Sequence, residues 1–302
     1  MKIHTLSCVR QLPCDGAVFV ALGNFDGVHH GHAALLRAAV EGARRRGCTP
    51  AVFTFRQNKA AALTRLEERT ALFAEHGIET LFVADFDAFC RQSPQEFVRS
   101  TIRGIGAVGV VCGFNFRFGY RAEGDTDRLR ELAEECEMEC EVIPPVMLDG
   151  VTVSSTEIRR RLSKGELEGV STLLGRPWSI TATVAHGRAV GGKLLSSPTL
   201  NLALAPDRAL PPYGVYFTEA IIDGNILPSI TNLGVRPTFG DSEVLCETHL
   251  LDRSGDFYGK TVTVRFLKFR RSERRFASVE ALSQAIAEDI ASARLFFDTH
   301  RP

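Results

Sequence analysis

Gly23-Asn24-Phe25-Asp26-Gly27-Val28-His29-His30-Gly31-His32 stands between the apolar run Val18–Leu22 and the amphipathic stretch Ala33–Arg46. The run is short and rich in Val and Phe, which predicts a buried strand; the stretch has helical periodicity. A glycine-containing turn from strand into helix aims unpaired N–H groups and a positive dipole end at whatever lies in front of it, a ready site for phosphate. Gly27 and Gly31 let backbone approach an anion closely. His29 and His32 can donate hydrogen bonds to phosphoryl oxygens while charge moves to a leaving group. Two other readings stay open: a tight turn whose histidines merely pack, and a metal site, for which no third ligand stands at helical spacing.

Outward from this turn, short apolar runs alternate with amphipathic segments. Ala51–Phe55, Thr80–Ala84, Val108–Cys112 and Glu141–Ile143 read as further strands, and Ala60–His76, Pro94–Ile105 and Thr126–Glu137 as helices. Ser93-Pro94-Gln95-Glu96 is a helix start with a capping serine, a first-turn proline and a glutamate three residues on. Such alternation predicts a parallel sheet covered by helices on both faces, a Rossmann-like α/β domain. From about Ser179 the texture changes. Ile180–Val184, Gly214–Ile222, Ile226–Thr231, Val244–Leu250 and Thr261–Phe269 are strand-like with no helix between them, and Asp223-Gly224 marks a tight turn. The expected architecture is a small antiparallel β-barrel. It is closed off by one C-terminal helix over Val279–Phe297, with Val279, Leu282, Ile286, Ile290, Ala293 and Phe297 on its apolar face. The domain boundary is expected around Gly175-Arg176-Pro177, giving domains 1–175 and 176–302.

Composition narrows the class. A chain of 302 residues with 44% hydrophobic and 24% charged residues has material for two cores. Its 36 basic and 36 acidic residues cancel, which argues against a general nucleic-acid or anionic-membrane binder. The N-terminus lacks the apolar run of a signal peptide, and no stretch approaches the ~20 apolar residues that span a bilayer. Cys8, Cys14, Cys48, Cys90, Cys112, Cys136, Cys140 and Cys246 are scattered. Of these only Cys136 and Cys140 are close, without the paired spacing of a zinc site. Free thiols in a reducing cytoplasm are the expectation.

A second segment complements the first. Val153-Ser154-Ser155-Thr156-Glu157-Ile158-Arg159 opens another helix, with Ser154 and Glu157 spaced as a capping box. Its hydroxyls and Arg159 would suit a polyphosphate; an ordinary cap with a solvated arginine is the plainer alternative. These two motifs resemble the HxGH nucleotidyltransferases. With Gly113-Phe114-Asn115-Phe116-Arg117-Phe118-Gly119, Gly124-Asp125, Leu173-Leu174-Gly175-Arg176-Pro177 and much of the second half, the chain resembles the bifunctional bacterial riboflavin kinase/FMN adenylyltransferases. The resemblance implies that His29, His32, Ser155, Thr156 and Arg159 hold the ATP phosphates. They would act within a cradle that includes Gly23, Asn24, Phe25, Asp26, Gly27, Gly31 and Ser154. Asn115 and Arg117 would then lie near the flavin nucleotide. It implies in-line attack of the FMN phosphate on the α-phosphorus of ATP, with Mg²⁺ neutralising charge and positioning doing the catalysis. One departure stands out: Thr54-Phe55 is followed by Arg56-Gln57-Asn58-Lys59 where the family has an Asp-Pro-His-Pro-like segment. Asn115 likewise stands where Asp is common.

The second half has no P-loop pattern. Ser196-Ser197-Pro198-Thr199-Leu200-Asn201 follows the glycine-rich His186–Lys193. In an extended segment Thr199 and Asn201 point to one side, where a hydroxyl and an amide oxygen can hold a hard cation such as Mg²⁺; a plain glycine-rich loop is the alternative. The resemblance implies that Thr199 and Asn201 are the metal ligands of a Mg-ATP site. It also assigns Gly187, Gly192, Lys193 and Pro198 to the nucleotide loop, and makes Glu247 the base for the riboflavin 5′-hydroxyl. By itself Glu247 would read as a solvated strand charge. The expected function is flavin cofactor synthesis in two steps, riboflavin to FMN and FMN to FAD, from small-molecule substrates alone. A riboflavin kinase with a silent front domain is the runner-up, prompted by Arg56–Lys59. A flavin-binding regulator without catalysis is a third reading.

Overall fold

The computed structural model describes residues 1–8, 12–13, 15–56, 61–185, 199–204, 207–237, 242–253 and 255–299. The chain divides into two compact units, Met1–Glu157 and Ile158–Pro302.

In the first unit six parallel strands form one sheet: β1 (Lys2–Leu6), β2 (Val18–Leu22), β3 (Thr49–Phe55), β4 (Thr80–Ala84), β5 (Ala107–Gly113) and β6 (Glu139–Ile143). Their order is β1-β4-β3-β2-β5-β6. Alternate residues of β2 feed opposite cores. Val18, Val20 and Leu22 join Phe53, Phe97, Ile102 and Leu129 on one face; Phe19 and Ala21 join Leu36, Ala39 and Phe73 on the other. Burial on both faces is why the central strands read as continuous apolar runs. Helix α1 (His30–Arg46) follows β2, with His29 as N-cap and the left-handed Gly47 as C-cap. Its last turn carries Arg44, Arg45 and Arg46 and its first turn no acid, so side chains oppose the dipole at the C-terminus and leave its positive end for a ligand.

Helix α2 (Leu66–Glu75) follows β3. It starts later than Ala60–His76 predicts, because residues 63 and 64 give their N–H groups to the Asp26 carboxylate instead. Two short turns, α3 (Phe86–Phe89) and α4 (Pro94–Glu96), come next, α4 running into a π-helical stretch Phe97–Ile102. Ser93 and Glu96 cap α4 reciprocally, as its sequence predicts. Helix α5 (Thr126–Glu135) precedes β6, and a hairpin of β7 (Met147–Leu148) and β8 (Val151–Thr152) leads into α6 (Ser155–Ser163). Strand β1 has no forecast: Lys2-Ile3-His4-Thr5-Leu6 is an edge strand, mostly exposed, and carries no apolar run.

The second unit holds the rest of α6 and α7 (Leu167–Leu174), then β9 (Ser179–Ala185), β10 (Thr199–Ala203), β11 (Gly214–Ile222), β12 (Asn225–Pro237), β13 (Ser242–Leu250) and β14 (Thr261–Ser272). These six strands close into an antiparallel barrel in the order β10-β13-β12-β11-β14-β9. The unit begins before the expected boundary after residue 175 because α7 packs on β14 of the barrel. Asp223 and Gly224 both take left-handed conformations between the paired Ile222 and Asn225, the geometry of a two-residue I′ hairpin.

Helix α8 (Val279–Thr299) lies on β11 and β12. Its buried line is Ala285, Asp289 and Ala293, while Val279, expected on the inner face, is 61% exposed. The rest of the forecast face holds, with Leu282, Ile286, Ile290 and Phe297 half-buried and Ala293 buried, and beside it sits a carboxylate that apolar periodicity does not register. Arg271 donates to Asp289 through Nε at 2.9 Å and Nη2 at 2.6 Å. Among the described residues no helix is long and apolar enough to cross a membrane.

Two outcomes are expected. Asp289→Ala leaves the Arg271 charge without its partner, at a cost of about 3 kcal/mol, the low end for a buried pair because Arg271 is 22% exposed. Urea unfolding followed by Trp178, the chain's single tryptophan, 2% exposed and 5.0 Å from the Phe266 ring, should report that loss as a lower midpoint. Burial pushes the Cys112 and Cys246 thiols up to about 12, so they hold less thiolate than an ordinary cysteine at any neutral pH. Mass-spectrometric mapping after iodoacetamide at about pH 8 should find exposed Cys8 modified and these two intact until the chain is unfolded.

Candidate functional sites

Between β2 and β5 the strand order reverses direction, the switch point where open α/β sheets leave a crevice beyond the carboxyl ends of their strands. The loops after both strands wall a cleft of about 1360 Å³. It is lined by Gly23, Asn24, His29, Gly31 and His32 on one side, Gly113–Gly119 on another, and Thr152–Thr156 on a third. Three stretches far apart in sequence, each singled out by its motif, thus meet in one place.

The turn after β2 is strained. Phe25 (φ 51°), Gly27 (φ 87°) and Val28 (φ 40°) all have positive φ. This is easy for glycine and unfavourable by roughly 1–3 kcal/mol for each of the other two, most of all for a β-branched residue. The path persists because it is tied down from outside. Asp26, 2% exposed, accepts hydrogen bonds from the N–H groups of Leu63 and Thr64, each at 3.0 Å, and from the Thr64 hydroxyl. Thr64 Oγ1 in turn accepts from the Gly27 N–H at 2.8 Å. Arg69 Nη1 donates to the Asn24 carbonyl at 2.6 Å, and Ser155 Oγ donates to the Asp26 carbonyl at 2.7 Å. Hydrogen bonds to a charged group contribute roughly 1.5–3 kcal/mol each, the same order as the strain they offset.

His29 Nδ1 accepts the His32 N–H at 3.2 Å, capping α1. An accepting Nδ1 carries no proton, which puts the neutral ring's hydrogen on Nε2. The two imidazoles stack with centroids 3.7 Å apart, and Phe25 supports His32 from below at 5.2 Å. A Cβ on Gly31 would come within 3.0 Å of the His29 ring, so glycine is required there by that ring as well as by any anion. Phe25 and Asp26 are buried and shape the loop with their side chains. Among the described residues no group of three or more His, Cys, Asp or Glu could hold a metal ion.

On the facing wall Phe114 is 47% exposed, and Phe116 and Phe118 stack at 5.6 Å. Asn115 and Arg117 line the cleft, Arg117 lying 3.6 Å from Asp125. Ser154 Oγ accepts the Glu157 N–H, and Thr156 lines the cleft. Arg56 also lines it, paired with Asp85 at 3.3 Å; Gln57, Asn58 and Lys59 lie outside the described residues. Arg159 stands four residues past Ser155 on α6, in the second unit.

The second unit gathers another set. Antiparallel register sets Asn201 of β10 opposite Glu247 of β13, and Glu247 opposite Asn232 of β12. Thr199 faces His249 two residues along the same ladder. Leu200, Leu202, Cys246 and Thr248 take the buried side of the same strands, where Thr218, Ser229, Thr231 and Thr248 form a chain of hydroxyl contacts, each 2.8 Å. Asn201 Nδ2 donates to the Thr199 carbonyl at 3.1 Å, and Thr199 Oγ1 is buried with no hydrogen-bond partner among the described residues. An orphaned hydroxyl beside an amide oxygen fits a hard cation. Burial, with Arg294 nearby, holds the His249 imidazole below its ordinary range. Gly187, Gly192, Lys193 and Pro198 lie outside the described residues.

Sequence reasoning missed Thr54, Thr64 and Arg69. Their signal is weak: Thr64-Arg65-Leu66-Glu67-Glu68-Arg69 reads as an ordinary charged helix start.

Comparison with known proteins matches both halves of the chain. The FAD synthetase family model matches residues 12–157 and the riboflavin kinase model residues 174–297. The bifunctional riboflavin kinase/FMN adenylyltransferase of Pseudomonas fluorescens is 37% identical, over 90% of this chain and 91% of its own. That of Escherichia coli K12 is 35% identical, over 99% and 98%. A crystal structure from Streptococcus pneumoniae, described as a macrolide-efflux protein, matches with TM-score 0.86 and 28% identity over 97% of this chain and 99% of that one. Two family models in tandem and relatives matched along nearly their whole length establish that the chain belongs to the bifunctional riboflavin kinase/FMN adenylyltransferase family.

Proposed function

We propose that the two sites divide two successive transfers from ATP. In the second unit the riboflavin 5′-oxygen takes the γ-phosphoryl group, giving FMN and ADP. In the first, an FMN phosphate oxygen bonds to the α-phosphorus of ATP as the bridge to the β-phosphate breaks, giving FAD and pyrophosphate. The labour would fall to residues 1–175 for adenylyl transfer and 176–302 for phosphorylation. The observation that carries this reading is the cleft at the β2/β5 switch point, which collects the glycine–histidine turn, the Asn115–Arg117 loop and the start of α6.

In the adenylyl-transfer site the ATP phosphates would lie before the α1 N-terminus, meeting His29 Nε2–H, His32 and Thr156; Arg159 is the further residue that the family resemblance assigns to them. Ser155 spends its hydroxyl proton on the Asp26 carbonyl and would donate to a phosphate oxygen only by giving up that bond. The isoalloxazine would rest against Phe114 and Phe116, with Asn115 and Arg117 near its phosphate. Nothing here requires a covalent intermediate; orientation and fixed positive dipoles do the work. In the kinase site Glu247 would take the proton of the 5′-hydroxyl. Thr199 and Asn201 would hold Mg²⁺, with Gly187, Gly192, Lys193 and Pro198 in the nucleotide loop. Bound there, the cation would neutralise charge on the nucleotide phosphates. A silent front domain, the reading prompted by Arg56–Lys59, is disfavoured by relatives named for both activities. ATP as substrate and the free cysteines favour a cytoplasmic setting.

Incubation with riboflavin, ATP and Mg²⁺, resolved by chromatography, should yield FMN and then FAD; FMN that never proceeds to FAD, even when supplied directly, would refute adenylyl transfer. Glu247→Gln should slow riboflavin phosphorylation by roughly 10²–10⁴-fold while FAD formation from added FMN continues. His32→Asn should do the reverse, with FMN accumulating.

A further inference from the structure

Arg69 is 1% exposed and belongs to none of the walls of the cleft. Its Nη1 donates to the Asn24 carbonyl at 2.6 Å and lies 3.5 Å from Thr54 Oγ1, which donates to the same carbonyl at 3.4 Å. Its buried Nε has no hydrogen-bond partner among the described residues. Burial lowers the guanidinium from its ordinary value, and Asp26 pushes it back up.

As packing alone this is a poor arrangement. A dry cation with an unused donor costs several kcal/mol, and an apolar residue of like volume would commonly be as stable or more so. What the arginine does instead is grip one end of a strained turn. Asp26 and Gly27, at the other end, are tied to Leu63 and Thr64, so residues 63–69 hold the Asn24–Val28 path at both ends. That path sets where α1 begins, and hence where His29 and His32 stand.

We propose that Arg69 is a positioning residue for adenylyl transfer, clamping the Asn24–Val28 turn through the Asn24 carbonyl so that the two histidines meet the ATP phosphates. This rests on the adenylyl-transfer reading of the cleft. A misplacement of about 1 Å can cost on the order of 10²-fold in rate.

The test uses the full chain, in which phosphorylation of riboflavin serves as an internal control. Arg69→Met should lower kcat/KM for ATP in adenylyl transfer by roughly 30–100-fold, with KM for FMN and the kinase constants within about twofold of wild type. Arg69→Lys, which keeps a donor for the carbonyl, should restore a large part of the loss. Thr54→Val, which removes only the second donor, should show a milder loss in the same constant and decides the matter if Arg69→Met fails to fold. Wild-type kcat/KM for ATP in the folded variants would overturn the proposal. So would losses toward ATP and FMN together, with a lowered unfolding midpoint and no rescue by lysine, which would make Arg69 a core residue only. A wild-type chain that never adenylylates FMN would instead remove the underlying reading, a distinct outcome.

Discussion

A chain leaving the end of β2 has seven residues, 23–29, in which to change from strand to helix. It does so through three positive-φ residues, two of which are not glycine. Such a path does not hold itself. Asp26 is the fastening: a buried carboxylate that accepts from two successive backbone N–H groups of residues 63 and 64. Much else in the front unit answers to that contact. It delays the start of α2, it places Thr64 against Gly27, and it brings Arg69 beneath Asn24. Ser155, from the far side of the sheet's crevice, completes the enclosure.

The barrel solves a different problem by parity. Along β13, odd and even residues serve separate ends: Cys246 and Thr248 face a dry interior, while Glu247 sits on the other side between Asn201 and Asn232. A slip of one residue in register would exchange the two sets. The buried hydroxyls of Thr218, Ser229, Thr231 and Thr248 satisfy one another across neighbouring strands. They make register specific in a way that apolar residues, indifferent to partner, would not. Glu247 and its neighbours are held in place from beneath.

Much of this was legible in the sequence because the decisive elements have strong local signatures. Val18–Leu22, Thr80–Ala84 and Gly214–Ile222 stand where their apolar runs predict. The glycine–histidine turn announces itself by composition. What escaped was set by tertiary partners. Lys2–Leu6 is a strand only because β4 pairs with it. Leu63 and Thr64 leave the helical pattern because the carboxylate of Asp26, far earlier in the chain, claims their backbone N–H groups. Arg69 looks like any solvated cation on a helix rich in charge, and Asp289 is a buried carboxylate on a helix face that hydrophobicity alone would draw without it. In each case a polar group is buried with a distant partner, and no window of sequence contains both.

The closed barrel also orders events in time. Strand β9 pairs with β14, which begins 76 residues after β9 ends, so the ring cannot shut until residues near 272 have been made. The front sheet, by contrast, has its last strand by Ile143. Domains generally fold as units during synthesis, N-terminal first, and long-range pairing is slow. On the ribosome the adenylyl-transfer unit can therefore be whole while every barrel strand is still waiting for its neighbour, and the newest stretch of chain is the one that completes the older half of the chemistry.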